Sequence, residues 1–296
     1  MKIHNKLIKA GDKMKVGLVL EGGAMRGLYT AGVLDVFLDN KDIKIDTIIG
    51  VSAGALFGVN YKSRQKGRTL RYNLKYANDE RYMGFKSLVK TGDIVNKEFC
   101  YDELPNKLDI FDNETYKKSP EEFYAVVTNL DTGKPEYIKI DDAQKDIEYL
   151  RASGSMPYVS KIVQIDGKKY LDGGTSDSIP VDEMMKMGVD KVIVVLTRPL
   201  EYRKKKSSPR VSKWYYKRYP NYIDTLNNRY KMYNSEVEKV ISLEKDKKIF
   251  VIRPSRKVEI KRIERDTEKL QEMYDLGVED AKNSLKDLKN YLEIKE

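Results

Sequence analysis

At 296 residues and 34.3 kDa the chain is long enough for one large α/β domain, or for a core with an extension. Apolar residues make up 40%, charged residues 34% and the formal charge is +10, and no stretch approaches the roughly 18 apolar residues of a membrane span. One cysteine, Cys100, excludes an internal disulfide framework, and one histidine, His4, sits in a polar leader, which leaves no base for a Ser-His-Asp triad and no histidine for a zinc site.

Residues 1–15 are charged and carry no apolar core, so no secretory signal is expected, and the lone cysteine fits a reducing, cytoplasmic setting. Lys15–Leu20 is a continuous apolar run ending in glycines, the pattern of a buried parallel strand. After Glu21-Gly22-Gly23-Ala24-Met25-Arg26-Gly27 the spacing of Leu28, Ala31, Val33, Leu34, Phe37 and Leu38 predicts a helix. Ile45–Ile49 predicts a second strand, closing a βαβ unit on Gly50-Val51-Ser52-Ala53-Gly54. Helix is predicted over 54–77, while 78–118 is mixed and carries no motif. Phe123–Leu130 and Pro135–Ile140 read as paired strands, with Asp131-Thr132-Gly133 as their turn; an aspartic-protease site needs two such triplets sharing a proton. A short hairpin through Asp166-Gly167 leads to Asp172-Gly173-Gly174, a helix to Gly188 and a strand at Val192–Leu196. Between Arg198 and Pro220 nine Lys or Arg face one Glu201, interleaved with Trp214, Tyr215, Tyr216 and Tyr219 and followed by Tyr222. Helix over 222–244, a strand at Lys248–Ile252 and a long charged helix over 266–292 finish the chain. Strands alternating with helices predict a mostly parallel sheet covered on both faces.

Three glycine-marked turns follow apolar strands, and in a parallel sheet the carboxyl ends of strands gather where sites form. A Gly-x-Ser-x-Gly at a strand-to-helix junction is the nucleophile-elbow pattern, so Ser52 is the candidate nucleophile. Asp172, at another strand end, is the candidate base, and the loop after the first strand offers backbone N–H groups for an oxyanion.

In these residues the chain resembles the patatin-like phospholipases. The resemblance rests on Glu21 to Gly27 with Ala31-Gly32-Val33-Leu34, Gly50 to Gly54, Ala152-Ser153-Gly154-Ser155-Met156-Pro157, and Asp172-Gly173-Gly174 with Ile179-Pro180. It implies a three-layer α/β/α fold over residues 1–200, with 201–296 as a basic aromatic segment and a mainly helical extension packed on that core. It further implies a serine acyl hydrolase of the phospholipase A or lysophospholipase type. Ser52 and Asp172 form its catalytic dyad, and the amides of Gly22, Gly23 and Ala24 form the oxyanion hole. Arg26, Gly50, Gly54, Gly173 and Gly174 support the site. The family usually carries a third glycine where Ala24 stands, and alanine disfavours positive φ by roughly 1 kcal/mol or more.

No metal or other cofactor is expected, and the expected partner is a lipid acyl ester. The basic aromatic segment predicts peripheral contact with an anionic membrane at its inner face. The rival reading is a non-enzymatic lipid- or nucleic-acid-binding protein that uses this segment, and nucleic acid is the less favoured ligand. A dinucleotide fingerprint at Gly22-x-Ala24-x-x-Gly27 lacks its acidic residue at the end of the second strand.

Overall fold

The computed structural model describes residues 14–206 and 208–294; His4 lies outside them. One sheet holds β1 (Val16–Leu20), β2 (Thr47–Val51), β3 (Glu122–Asn129), β4 (Pro135–Lys139), β5 (Val163–Ile165), β6 (Lys168–Asp172), β7 (Lys191–Val195) and β8 (Phe250–Ile252). The helices up to β7 are α1 (Gly27–Asp39), α2 (Ala53–Lys62), α3 (Arg68–Tyr76), α4 (Phe85–Thr91), α5 (Asn113–Lys118), α6 (Ile147–Gly154) and α7 (Val181–Lys186). After β7 come α8 (Pro209–Tyr215), α9 (Pro220–Lys245) and α10 (Thr267–Tyr291). The second strand is displaced two residues from its predicted position, because pairing with β1 begins at Thr47.

β1 is buried at all five positions, as a strand apolar on both faces requires, and it pairs in parallel with β2 on one side and β7 on the other. Alternation decides which layer each side chain enters. Leu18, Leu20, Ile48, Ile193 and Val195 join α1, α2, α3 and α10 on one face. Val19, Ile49, Val51, Val192 and Val194 join α7 and α9 on the other. Each such side chain contributes roughly 1.5–3 kcal/mol by leaving water. The result is a mostly parallel sheet between two helical layers, the fold expected.

The antiparallel strands position the site. Val126 of β3 pairs with Val51 on one edge and Tyr137 on the other, while the next residue, Val127, pairs with Asp172 and Glu136. Since β4 occupies one edge throughout, β2 and β6 share the other. They meet carboxyl end to carboxyl end.

Residues beyond 200 belong to the same sheet and both layers. β8 pairs in parallel with β7. α10 lies against α1 at a crossing where backbones touch: a Cβ added to Gly32 would fall 2.3 Å from Tyr274 O, and one on Gly277 2.1 Å from Tyr29 O. The predicted helix over 54–77 is instead two helices, α2 and α3. The chain turns left-handed at Arg64 (φ 59°) and Gly67 (φ 72°), and Gly67 N donates to Asp35 Oδ2 at 2.9 Å.

On the opposite face, α9 turns a polar band inward among Leu226, Val237 and Val240. Its Glu236 accepts from the amides of Ser178 and Ile179, both at 3.2 Å, and faces Asp177, whose own carboxyl is also raised by burial. Burial first, and then Asp177, raise the Glu236 carboxyl from 4.5 to about 9. The folded chain therefore holds a proton that unfolded Glu236 has lost, so this contribution is complete below about pH 4.5 and is lost as pH rises through about 9. Glu236→Gln keeps a donor for Asp177 and an acceptor for the two amides without titrating. Melting temperatures between pH 5 and 9 are expected to fall more steeply for wild type than for this variant, and parallel slopes would refute the raised Glu236 carboxyl.

Candidate active site

Ser52 follows β2 directly and caps α2, with φ 53° and ψ −121°, a backbone conformation that costs a non-glycine residue of order 1–3 kcal/mol. Packing enforces it. A Cβ on Gly54 would lie 2.3 Å from Leu20 O, and one on Gly22 would lie 2.8 Å from Ser52 Cβ, so the turn fits only where neighbouring side chains are absent. Gly50 sits within β2, paired with Leu20 and Ala125. Ser153 Oγ, on α6, accepts from Ser52 N at 2.9 Å.

Ser52 Oγ donates to Asp172 Oδ2 at 2.8 Å, and both residues are buried. The other carboxylate oxygen accepts from Gly174 N at 2.8 Å in the short turn of Gly173–Thr175. Asp172 N donates to Ser155 O at 2.8 Å, and Thr128 Oγ1 donates to Asp172 O at 2.8 Å. The stretch Ala152–Pro157 thus braces both ends of the pair, Ser153 on the serine and Ser155 on the aspartate. Cys100 lies on a cavity wall, and burial pushes its thiol pKa well up, so it offers no competing thiolate.

The loop after β1 passes beside Ser52. No described residue accepts from the amides of Gly22, Gly23 or Ala24, although the flanking amides are bonded: Glu21 N to Val195 O, Met25 N to Arg262 O and Arg26 N to Gly23 O. Ala24 holds φ 50°, the left-handed conformation that the missing glycine would have adopted more readily. Glu21 is buried and anchors the loop from beneath. Its Oε2 accepts from Thr197 N at 2.6 Å and Thr197 Oγ1 at 3.1 Å, and its Oε1 from Tyr233 OH at 2.8 Å. Arg26 is buried beside it, its pKa lowered to about 10 by burial and then by Arg198.

Two cavities open on Ser52, and they differ in chemistry. One, of about 690 Å³, runs into the layer of α2 and α3 and is walled by residues such as Leu56, Phe57, Tyr72, Met83, Leu104 and Leu150. Much of its wall comes from 78–118, including the π-helical turns of Phe99–Leu108, where sequence reasoning found no motif. The other, of about 70 Å³, lies toward α9 and is lined by Arg26, Arg198, Lys204, Arg229 and Arg262 together with Glu21 and Asp172. Sequence reasoning missed the last four of these cations. One signal was available: Arg229 and Glu236 stand in the inward stripe of α9, where a solvated helix would place apolar residues.

The patatin-like phospholipase family model matches residues 18–185, and a domain of unknown function (DUF6363) matches 219–293. The chain is 29% identical over 194 residues to the uncharacterized protein YjjU of Escherichia coli (strain K12), covering 62% of this chain and 52% of that protein. It is 30% identical over 182 residues to the lysophospholipase nte1 of Aspergillus fumigatus, covering 61% of this chain and 12% of that protein. The chain therefore spans about half the length of the first relative and about an eighth of the second. Among solved structures, VipD from Legionella pneumophila aligns at 13% identity and a TM-score of 0.42, over 92% of this chain and 67% of that one.

The φ of 50° at Ala24 has a measurable consequence. Ala24→Gly removes the Cβ penalty at a left-handed position and is expected to stabilise the chain by about 1 kcal/mol in denaturant unfolding. Unchanged or lower stability would mean that the alanine carries no strain there.

Proposed function

The chain belongs to the patatin-like phospholipase family, and on that premise we propose that it is a serine hydrolase of lipid acyl esters, acting through Ser52 and Asp172. One observation carries the assignment: a serine on a strained turn donates a 2.8 Å hydrogen bond to a buried carboxylate at the mouth of a large apolar cavity. The cavity suits an acyl chain. The name of the fungal relative, a lysophospholipase, supports a lipid ester as substrate.

In this reading Asp172 takes the Ser52 proton as Oγ attacks the ester carbonyl, and the amides of Gly22, Gly23 and Ala24 receive the charge on the carbonyl oxygen. Asp172 then gives the proton to the departing alcohol oxygen, leaving the acyl group on Ser52. A water passes a proton to Asp172 as it attacks the acyl carbon. Collapse of that adduct frees the fatty acid, and Ser52 Oγ takes the proton back. Gly174 N on Oδ1 holds the carboxylate with Oδ2 toward Ser52 throughout. Ser52→Ala is expected to reduce lipid-ester hydrolysis to background. Asp172→Asn, which keeps the shape but not the base, should lower kcat by about 10²–10⁴-fold. Hydrolysis surviving Ser52→Ala would overturn the assignment.

We also propose that the face bearing the basic aromatic segment touches anionic lipid. Trp214 is 78% exposed and Tyr215 48%, beside exposed Lys205, Lys206, Lys213 and Lys217. Such residues gain roughly 1 kcal/mol each near an anionic surface. Changing Lys205, Lys206 and Lys213 together to Gln should weaken binding to anionic vesicles, and added salt should weaken wild-type binding. Equal wild-type binding to anionic and neutral vesicles would refute this contact.

A further inference from the structure

The small pocket beside Ser52 has a charge pattern that ester hydrolysis alone does not call for. Its cations come from separate parts of the chain: Arg26 after β1, Arg198 and Lys204 after β7, Arg229 on α9, and Arg262 in the segment before α10. All but Arg26 lie beyond the residues that the patatin-like model matches. None of the five forms an ion pair with a described carboxylate. The two carboxylates present act on these cations only through space, Glu21 being hydrogen-bonded by Thr197 and Tyr233 and Asp172 by Ser52 and Gly174, so five cations face two negative charges. Arg26 is only 9% exposed, and its Nε has no acceptor among the described residues; neither does the buried Nε of Arg229. Buried charges are ordinarily paired.

We infer that this pocket binds the phosphate of the substrate's alcohol half, and that the substrate class is a single-chain acyl glycerol ending in a phosphate monoester. The inference rests on the reading of Ser52 as the acyl-transfer nucleophile. The acyl chain enters the apolar cavity, the ester carbonyl lies at Ser52, and the three-carbon alcohol carries its phosphate among the cations.

Three further observations favour a terminal phosphate over a choline-bearing head group. First, about 70 Å³ holds a handful of water-sized groups, enough for a phosphate, and a group carried beyond it would have to extend past the cationic cluster. Second, the cluster repels any added positive charge, and a quaternary ammonium carries one. Third, the aromatic faces are already covered: the Arg198 guanidinium lies 4.1 Å from the Tyr202 ring centroid and the Lys204 ammonium 4.4 Å from that of Tyr233. No aromatic cage is left for choline on those two rings. The Lys204 ammonium itself is pushed down to about 7, by burial first and then by Arg229. A phosphate dianion placed there would restore its proton.

The step balances without a co-reactant. Asp172 protonates the departing glycerol oxygen, glycerol phosphate leaves, and water completes the release of one fatty acid.

The test compares kcat/KM for a 1-acyl glycerol 3-phosphate, the matching 1-acyl glycerophosphocholine, the matching monoacylglycerol and a short nitrophenyl ester. Wild type, Lys204→Gln, Arg229→Gln and the surface variant Arg262→Gln are assayed alongside. Wild type should favour the phosphate monoester over the choline ester by about tenfold or more, and each variant should shrink that ratio severalfold. Inorganic phosphate should compete with the phosphate-bearing substrate in wild type and lose potency against Arg229→Gln. Equal rates for the three lipids, or a preference that all three variants retain, would overturn the assignment. Competition by inorganic phosphate without any lipid preference would assign the pocket to free phosphate and overturn the substrate class. If no ester is turned over, the nucleophile reading fails instead. Titration calorimetry with inorganic phosphate on wild type and Arg229→Gln then still decides the pocket, with equal heats refuting it.

Discussion

A single edge of β3 organises this molecule. β2 leaves that edge after Val51, and β6, running the opposite way, ends on it at Asp172, one residue further along β3. Two strands that converge by their carboxyl ends put Ser52 and Asp172, 120 residues apart, in direct contact. No long loop has to find its place. The precision comes from the ladder, whose pairing is fixed by backbone hydrogen bonds and by the burial of alternate side chains. The strained turn at Ser52 persists for a related reason: Gly54 lies against Leu20 O and Gly22 against Ser52 itself, so the backbone has nowhere to relax.

From that junction the sheet separates two environments. The α2 and α3 layer walls a large apolar space, and the α9 side carries arginines and a lysine. Neither is a property of the sheet; each comes from what packs over its carboxyl edge. Charges in a partly dry site interact more strongly than in water, so the cationic wall acts on any negative charge that gathers near the Gly22–Ala24 amides. Glu21 links the two requirements. It fastens the amide-bearing loop to Thr197 and, through Tyr233, to α9, so the helix that brings Arg229 also holds the loop in place.

The region beyond residue 200 is thereby part of the site's construction as well as of the core. β8 extends the parallel run, and α10 approaches α1 so closely that Gly32 and Gly277 leave no space for a methyl group. The inward face of α9 reads Leu226, Arg229, Tyr233, Glu236, Val237 and Val240, an apolar stripe interrupted by polar groups wherever it crosses the carboxyl edge of the sheet.

Much of this was legible in the chain before folding. The apolar runs around Leu18, Ile48 and Val194 and the glycine-marked turns after them are local signals, and local signals suffice for a doubly covered parallel sheet. Ser52, Asp172 and the Gly22–Ala24 loop could be singled out because each stands in a short glycine-marked motif of neighbouring residues, and the fold brings Ser52 and Asp172 into contact. The split between α2 and α3 was less visible, because it depends on Gly67 being held by Asp35, an interaction outside any window of sequence. The lining of the apolar cavity escaped notice because the irregular turns of 78–118, with a π-helical stretch, follow no period. Lys204 was one of nine cations in a basic aromatic segment expected to meet lipid, Arg229 and Arg262 stood in no motif, and charge in a sequence does not say where it will point. Sequence alone singled out the residues proposed for acyl transfer. Tertiary structure decided what surrounds them, because a pocket is made where segments far apart in the chain pack over one strand end.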